Sequence, residues 1–296
     1  MTASLPAHET GSVTSRDGTL IGYRRLGGGP AIVLWHGSMM SSHNLLRLGS
    51  ALSDRFTVYL PDLRGRGLSG PHGPGFCLER AAGDVAALVE HTGARGVFGL
   101  SAGAVPVLRW GLTAPRKQRI ALYEPPLAVG AFSPTAWLPR YEREMAQGRP
   151  AAAMATVVRG TQDPPWLRFV PRTVLVPLLR LGLRAQAEQV RQAGAGVPLR
   201  DLLPTMGADA RMVRESAGLA EAAATARARL LLLGGSRSAR YLREALDALE
   251  DGLPGAGRVE FAGLGHLAAD NDGQPERVAD ALAGFFAPLL SRSARS

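Results

Sequence analysis

A single cysteine, Cys77, stands in a chain of 296 residues. It cannot close an intramolecular disulfide and has no partners for a Cys-rich zinc or iron–sulfur site, which excludes a disulfide-stapled scaffold and leaves Cys77 a structural role. Long hydrophobic runs are also missing. The most apolar stretches, Ala121 to Ala131 and Val170 to Leu183, carry charges or prolines and fall short of the roughly 18 apolar residues that span a bilayer. The first residues, through Gly18, lack the basic start and apolar run of a signal peptide. These absences predict a cytoplasmic protein with no membrane partner. Lysine is almost absent: of 34 basic residues only Lys117 is not arginine. The net charge of +9 comes from arginines scattered singly among 25 acids, without the clustered stripe that nucleic-acid binding needs. No nucleic-acid partner is expected, although the basic balance favours anionic substrates.

What is present is globular. The chain is 46% hydrophobic and 20% charged, and its 36 Gly and 21 Pro stay below the roughly 25–30% of low-complexity chains. Short apolar runs ending in Gly, Pro or Asp alternate with Ala/Leu/Arg stretches at helical spacing. The runs predict strands at Leu20–Leu26, Ala31–Trp35, Thr57–Leu60, Gly96–Leu100, Ile120–Tyr123, Leu230–Leu233 and Arg258–Phe261. Helices are expected at Leu45–Leu52, Leu78–Thr92, Ala102–Leu112, Ala239–Leu249 and Pro275–Leu290. Near-continuous runs such as AIVLW and LLLL suit strands buried on both faces, so the fold class is α/β, a mostly parallel sheet covered by helices on both sides. Between Pro125 and Ala226 the alternation stops and the chain turns helical, rich in Arg, Ala and Pro. This divides the chain into a core of residues 1–125 and 227–296 and a helical cap at 126–226. The residues around His8 and the tail SRSARS read as disordered ends.

The strongest chemical signal is Gly99-Leu100-Ser101-Ala102-Gly103, between a strand pattern and a helix pattern. A Gly-x-Ser-x-Gly turn in that context exposes its serine on a sharp strand-to-helix bend, with small flanking residues letting the backbones approach. A serine hydroxyl needs a base to take its proton. Of the six histidines, His8 lies in the start, His36 precedes the bend, His43 and His72 fall in loops, and His91 ends a helix. His266, in Gly263-Leu264-Gly265-His266, follows the last strand and precedes the last helix, the chain order a hydrolytic triad of this type uses.

With these motifs the chain resembles the α/β-hydrolase superfamily, specifically its cap-bearing esterase, epoxide hydrolase and haloperoxidase-like branch, from about Thr14 to Leu290. Two further stretches carry the likeness: Leu34-Trp35-His36-Gly37-Ser38, similar to the family's oxyanion strand end, and Pro61-Asp62-Leu63-Arg64-Gly65-Arg66-Gly67-Leu68-Ser69, similar to its Asp-x-Arg-Gly-x-Gly-x-Ser loop. The resemblance implies an oxyanion hole from the backbone N–H groups of Ser38 and Ala102, a structural His36, and a loop-bracing role for Asp62, Arg64 and Arg66. The family's usual acid is missing, because Leu230–Leu233 runs into Gly234-Gly235-Ser236-Arg237-Ser238. The alternative position is the end of the strand after the bend, where Glu124 sits in Tyr123-Glu124-Pro125. Glu124 is assigned as the acid that orients His266. Two alternatives stay open: Glu124 paired with an arginine at the cap hinge, and an acid from Asp270 or Asp272.

The resulting expectation is a serine hydrolase acting on a small or medium ester or lactone, with Met39, Met40 and Trp137 as substrate-pocket walls. Tyr141, Trp166, Phe169 and Met206 are weaker candidates for the same pocket. Serine at the bend, where epoxide hydrolases and haloalkane dehalogenases need a carboxylate, argues against those activities. No cofactor or metal is implied, since Gly27-Gly28-Gly29-Pro30 precedes a strand and no phosphate-cradling motif is found. The partner is a small-molecule ester or acyl substrate. A thioesterase, acyltransferase or cyclase, served by an acidic acyl carrier, is the second reading, and a non-catalytic binding protein on the same fold the third.

Overall fold

Strand residues alternate strictly between two hydrophobic clusters, and that alternation explains the layering. In the run AIVLW, Ile32 and Leu34 join one cluster while Val33 and Trp35 join the other. Phe98 and Leu100, Ala121 and Tyr123, and Leu231 and Leu233 follow the first pair; Val97, Ile120, Leu122, Leu230 and Leu232 follow the second. A strand with both faces apolar must be covered on both sides. The computed structural model describes residues 6–129, 132–162 and 165–293.

The strands are β1 (Glu9–Thr14), β2 (Leu20–Leu26), β3 (Ala31–Trp35), β4 (Thr57–Pro61), β5 (Gly96–Leu100), β6 (Arg119–Tyr123), β7 (Arg229–Gly235) and β8 (Gly257–Phe261). They form one sheet in the order β1-β2-β4-β3-β5-β6-β7-β8, antiparallel across β1, β2 and β4 and parallel from β4 to β8. The helices begin with α1 (Leu46–Ser53), α2 (Leu78–Thr92) and α3 (Ala104–Gly111). Between β6 and β7 come α4 (Leu138–Ala146), α5 (Pro150–Thr161), α6 (Arg172–Ala193), α7 (Leu199–Leu202), α8 (Met206–Arg214) and α9 (Leu219–Ala222), and the chain closes with α10 (Arg240–Gly252), α11 (Pro275–Phe286) and α12 (Leu290–Ser293). Side chains of α1 and α11 fill the first cluster, and those of α2, α3 and α10 the second. The insert from α4 to α9 holds a small core of its own around Trp137, Tyr141, Met154, Val157, Leu183 and Leu203.

The seven expected strands match in place, three of them at both ends and the others within two residues. The start of the chain differs from expectation. Glu9–Thr14 is no disordered end but an edge strand, paired from Glu9↔Arg25 to Thr14↔Leu20. Its sequence ETGSVT has one large apolar residue, so it holds by backbone pairing and shows no buried-strand pattern. The last expected helix stops at Phe286, where Pro288 forces a 3-10 turn before α12. Residues 291–293 of the tail are thus ordered in α12, and 294–296 lie outside the described residues. His43 sits in a 3-10 turn, Ser42–Leu45, where a loop was expected. Among the described residues no helix is long and apolar enough to cross a membrane.

Candidate active site

Parallel strands collect loops at their carboxyl ends, where α/β folds place ligands. At the end of β5, Ser101 adopts φ 53° and opens a 3-10 turn, Ser101–Gly103, that leads into α3. A non-glycine residue held there costs on the order of 1–3 kcal/mol, repaid by the surrounding packing. Two glycines make the bend possible. A Cβ on Gly99 would meet the Ala104 backbone at 2.5 Å, and one on Gly103 would meet the His36 carbonyl at 2.2 Å.

From the serine a chain of hydrogen bonds runs inward across the sheet. The Ser101 hydroxyl donates to Nε2 of His266 at 2.8 Å, and Nδ1–H of His266 donates to Oε2 of Glu124 at 2.6 Å. The other carboxylate oxygen of Glu124 accepts the Gly235 N–H at 2.6 Å. Glu124 is fully buried and takes φ 46° just past β6, with its own N–H on the Leu233 carbonyl. The Tyr123 hydroxyl donates to the Gly265 carbonyl at 2.8 Å, tying the end of β6 to the loop that carries His266. Since the carboxylate only accepts, it selects the tautomer with Nδ1 protonated and leaves the Nε2 lone pair facing Ser101.

The three side chains named from sequence therefore meet. The other carboxylates considered do not join them. Asp270 accepts from the Asn44 amide at 2.9 Å and from the Asp272 N–H at 3.0 Å, and its burial pushes the carboxyl above the usual range. It pins the histidine loop to the turn after β3. Asp272 is exposed.

Ser101 and His266 open into a cavity of about 170 Å³. Ser38 and Ala102 border it, as do Met39, Met40 and Trp137. The insert supplies much of the remaining wall through Val157, Val158, Met206, Ala210 and Val213, and among the described residues none that lines it is Asp, Glu, Lys or Arg. Of the aromatic candidates in the insert, Tyr141, Trp166 and Phe169 do not reach it. Tyr141 packs inside the insert with its hydroxyl donating to the Leu203 carbonyl, and burial pushes that hydroxyl up to about 12. Trp166 and Phe169 face outward.

Beneath the site lies a bracing network. His36 is fully buried, with Nδ1–H donating to the Gly37 carbonyl and Nε2 accepting the Leu63 N–H. Burial, then the nearby Arg66 charge, hold it down at about 4, so it is neutral at pH 7. Asp62 accepts the N–H groups of Ser42 and Leu68. Arg64 bridges Asp84 and Asp17, a pairing that keeps Asp17 well below the usual carboxylate range. Arg66 goes further than loop bracing. It makes a bidentate pair with Asp209 of α8, at 3.1 and 2.6 Å, with both side chains buried. This tie between sheet and insert was not anticipated; a lone acid in the apolar stretch Met206–Val213 was the signal for it. Among the described residues no three His, Cys, Asp or Glu side chains gather as metal donors.

A family model described as the alpha/beta hydrolase family matches residues 32–281. An alpha/beta hydrolase from Sphaerobacter thermophilus DSM 20745 is 27% identical with a TM-score of 0.67, covering 93% of this chain and 100% of that one. A thermophilic esterase from Thermogutta terrifontis is 21% identical at TM-score 0.67 over 95% and 99%, and the enol-lactonase from Burkholderia xenovorans LB400 is 22% identical at TM-score 0.68 over 94% and 100%. At those identities the last two speak for the fold alone. No curated protein matches the chain.

Proposed function

This chain belongs to the alpha/beta hydrolase family, and from that premise we propose that it is a serine hydrolase cleaving uncharged esters or lactones of small to medium size. The observation that carries the reading is the hydrogen-bond chain from Ser101 through His266 to Glu124, opening into a cavity lined, among the described residues, by no Asp, Glu, Lys or Arg. Ser101 Oγ attacks the substrate carbonyl carbon as His266 Nε2 takes the hydroxyl proton. The carbonyl oxygen becomes an oxyanion facing the backbone N–H groups of Ser38 and Ala102, donors of a kind that contribute about 2.7–4 kcal/mol each. Glu124 stabilises the imidazolium without taking its proton. The C–O bond to the leaving group breaks, the alkoxide receives the proton from His266, and the acyl group stays on Ser101. Water then repeats the attack with His266 as base, releasing the acid.

An esterase and an enol-lactonase among the structural neighbours agree with ester or lactone chemistry on this scaffold. The helices between β6 and β7 act in this reading as a cap that shapes the acyl site, and the compartment is the cytoplasm. A serine rather than a carboxylate at residue 101 disfavours the alkyl-enzyme chemistry of epoxide opening. A panel of p-nitrophenyl esters of increasing acyl length tests the function, with Ser101→Ala as control. Hydrolysis that requires Ser101 and declines for long chains supports it. Fluorophosphonate labelling without hydrolysis of any ester points instead to acyl transfer from a dedicated donor, and no labelling removes the enzyme reading.

A further inference from the structure

Eight large apolar side chains stand out as exposed among the described residues, and five of them fall within 166–181: Trp166, Phe169, Val174, Leu178 and Leu181, each 49% to 73% exposed. The reason is α6. Its inner face, Leu175, Leu183 and Ala187, is buried, with Val176 and Leu179 partly buried against the core of the insert. Its outer face repeats Val174, Leu178, Leu181 and Ala185 at spacings of four, three and four, so those four lie in one stripe along the helix. A helix apolar on both faces is normally buried on both. Here the second face is open, over a helix of 22 residues that is about 33 Å long.

Charge says what covers it. Residues 165–187 contain Arg168, Arg172, Arg180 and Arg184 and no Asp or Glu. Arg172 is engaged with Glu144, whereas Arg180 and Arg184 are exposed on the flank of the helix between the stripe and the buried face and make no ion pair among the described residues. The first acid beyond, Glu188, is paired with Arg191. Against the expectation from sequence of no membrane partner, we propose that this face docks on an anionic lipid surface, the stripe and Trp166 entering the interface while Arg180 and Arg184 meet the headgroups. Amphipathic helices with arginine beside the apolar face and tryptophan at its edge bind in this way, by apolar area plus electrostatic attraction. A second copy of the chain fits less well, because a two-fold contact through the stripe sets the same arginines against each other. Docking is independent of the chemistry at Ser101, since none of these residues lines the cavity.

Co-sedimentation of the full chain with vesicles tests it. Binding to vesicles of equal parts phosphatidylglycerol and phosphatidylcholine is expected, with little binding to phosphatidylcholine alone and a marked loss at about 0.5 M salt. Leu178→Glu with Leu181→Glu weakens partitioning by about tenfold or more. Arg180→Gln with Arg184→Gln weakens it less and leaves the apolar stripe intact, which keeps the test valid if the first pair misfolds. Hydrolysis of a short soluble ester by both variants stays at the wild-type level; if wild type hydrolyses none, the ester-hydrolase reading fails while the vesicle result stands. Absence of binding to the anionic vesicles, or equal binding by all three proteins, overturns the proposal. So does a wild-type dimer in light scattering that the leucine variant converts to monomer while neither touches vesicles.

Discussion

The sheet and the helical insert build opposite walls of one cavity by different rules. On the sheet side every site residue is fixed by backbone: Ser101 and Glu124 stand at strand ends in left-handed conformations, and His266 hangs from a loop tied by the Tyr123 hydroxyl. On the insert side the wall is side-chain volume alone, Trp137, Val157, Val158, Met206 and Val213, held over the sheet through the Arg66–Asp209 pair. Under the proposed function, chemistry sits where the backbone is over-determined, and selectivity sits where packing can change without disturbing it.

That division is testable in order of effect. Ser101→Ala removes the nucleophile and lowers kcat by about 10⁶-fold, with an unchanged melting temperature. Glu124→Gln loses the tautomer control and lowers kcat by about 10³–10⁴-fold, whereas Asp270→Asn changes it far less; the reverse ranking in steady-state assays moves the acid to the histidine loop. Asp209→Asn leaves a buried guanidinium unpaired and destabilises by about 3–5 kcal/mol in denaturant melts, and Arg66→Met combined with Asp209→Leu recovers most of that loss. A single variant that melts like wild type breaks the claim that this pair ties the two regions. Val158→Phe narrows the insert wall and raises KM for long acyl chains by about tenfold while sparing acetate esters.

The bracing layer gives a pH signature on the sheet side. His36 titrates at about 4 in the folded chain against about 6.5 unfolded, so between those values the unfolded chain binds more protons. Stability contributed by keeping His36 neutral is present above about 6.5 and is lost as pH falls toward 4. His36→Gln is expected to flatten the stability profile in that window, measured by urea melts at successive pH values.

The sheet was legible because burial writes itself into sequence. AIVLW and LLLL announce strands covered on both faces, and Gly99 and Gly103 bracket a bend that no larger residue permits. Glu124 was legible through the family resemblance, whose alternative acid position falls on it once no carboxylate follows β7; there Gly235 instead supplies an N–H that Glu124 accepts. The polar edge strand Glu9–Thr14 was not legible, because backbone pairing leaves no hydrophobic pattern. Nor was the insert: Trp137 and Met206 reach the cavity while Tyr141 and Phe169 do not, and only the packing of α4, α5 and α8 separates them.

The central claim is that Ser101 is the nucleophile of this site. Intact-protein mass spectrometry after fluorophosphonate treatment, followed by peptide mapping, tests it most directly. A single adduct is expected on the peptide containing Ser101, absent in Ser101→Ala and formed far more slowly in Glu124→Gln. An adduct on another residue, or an undiminished one in Ser101→Ala, contradicts it.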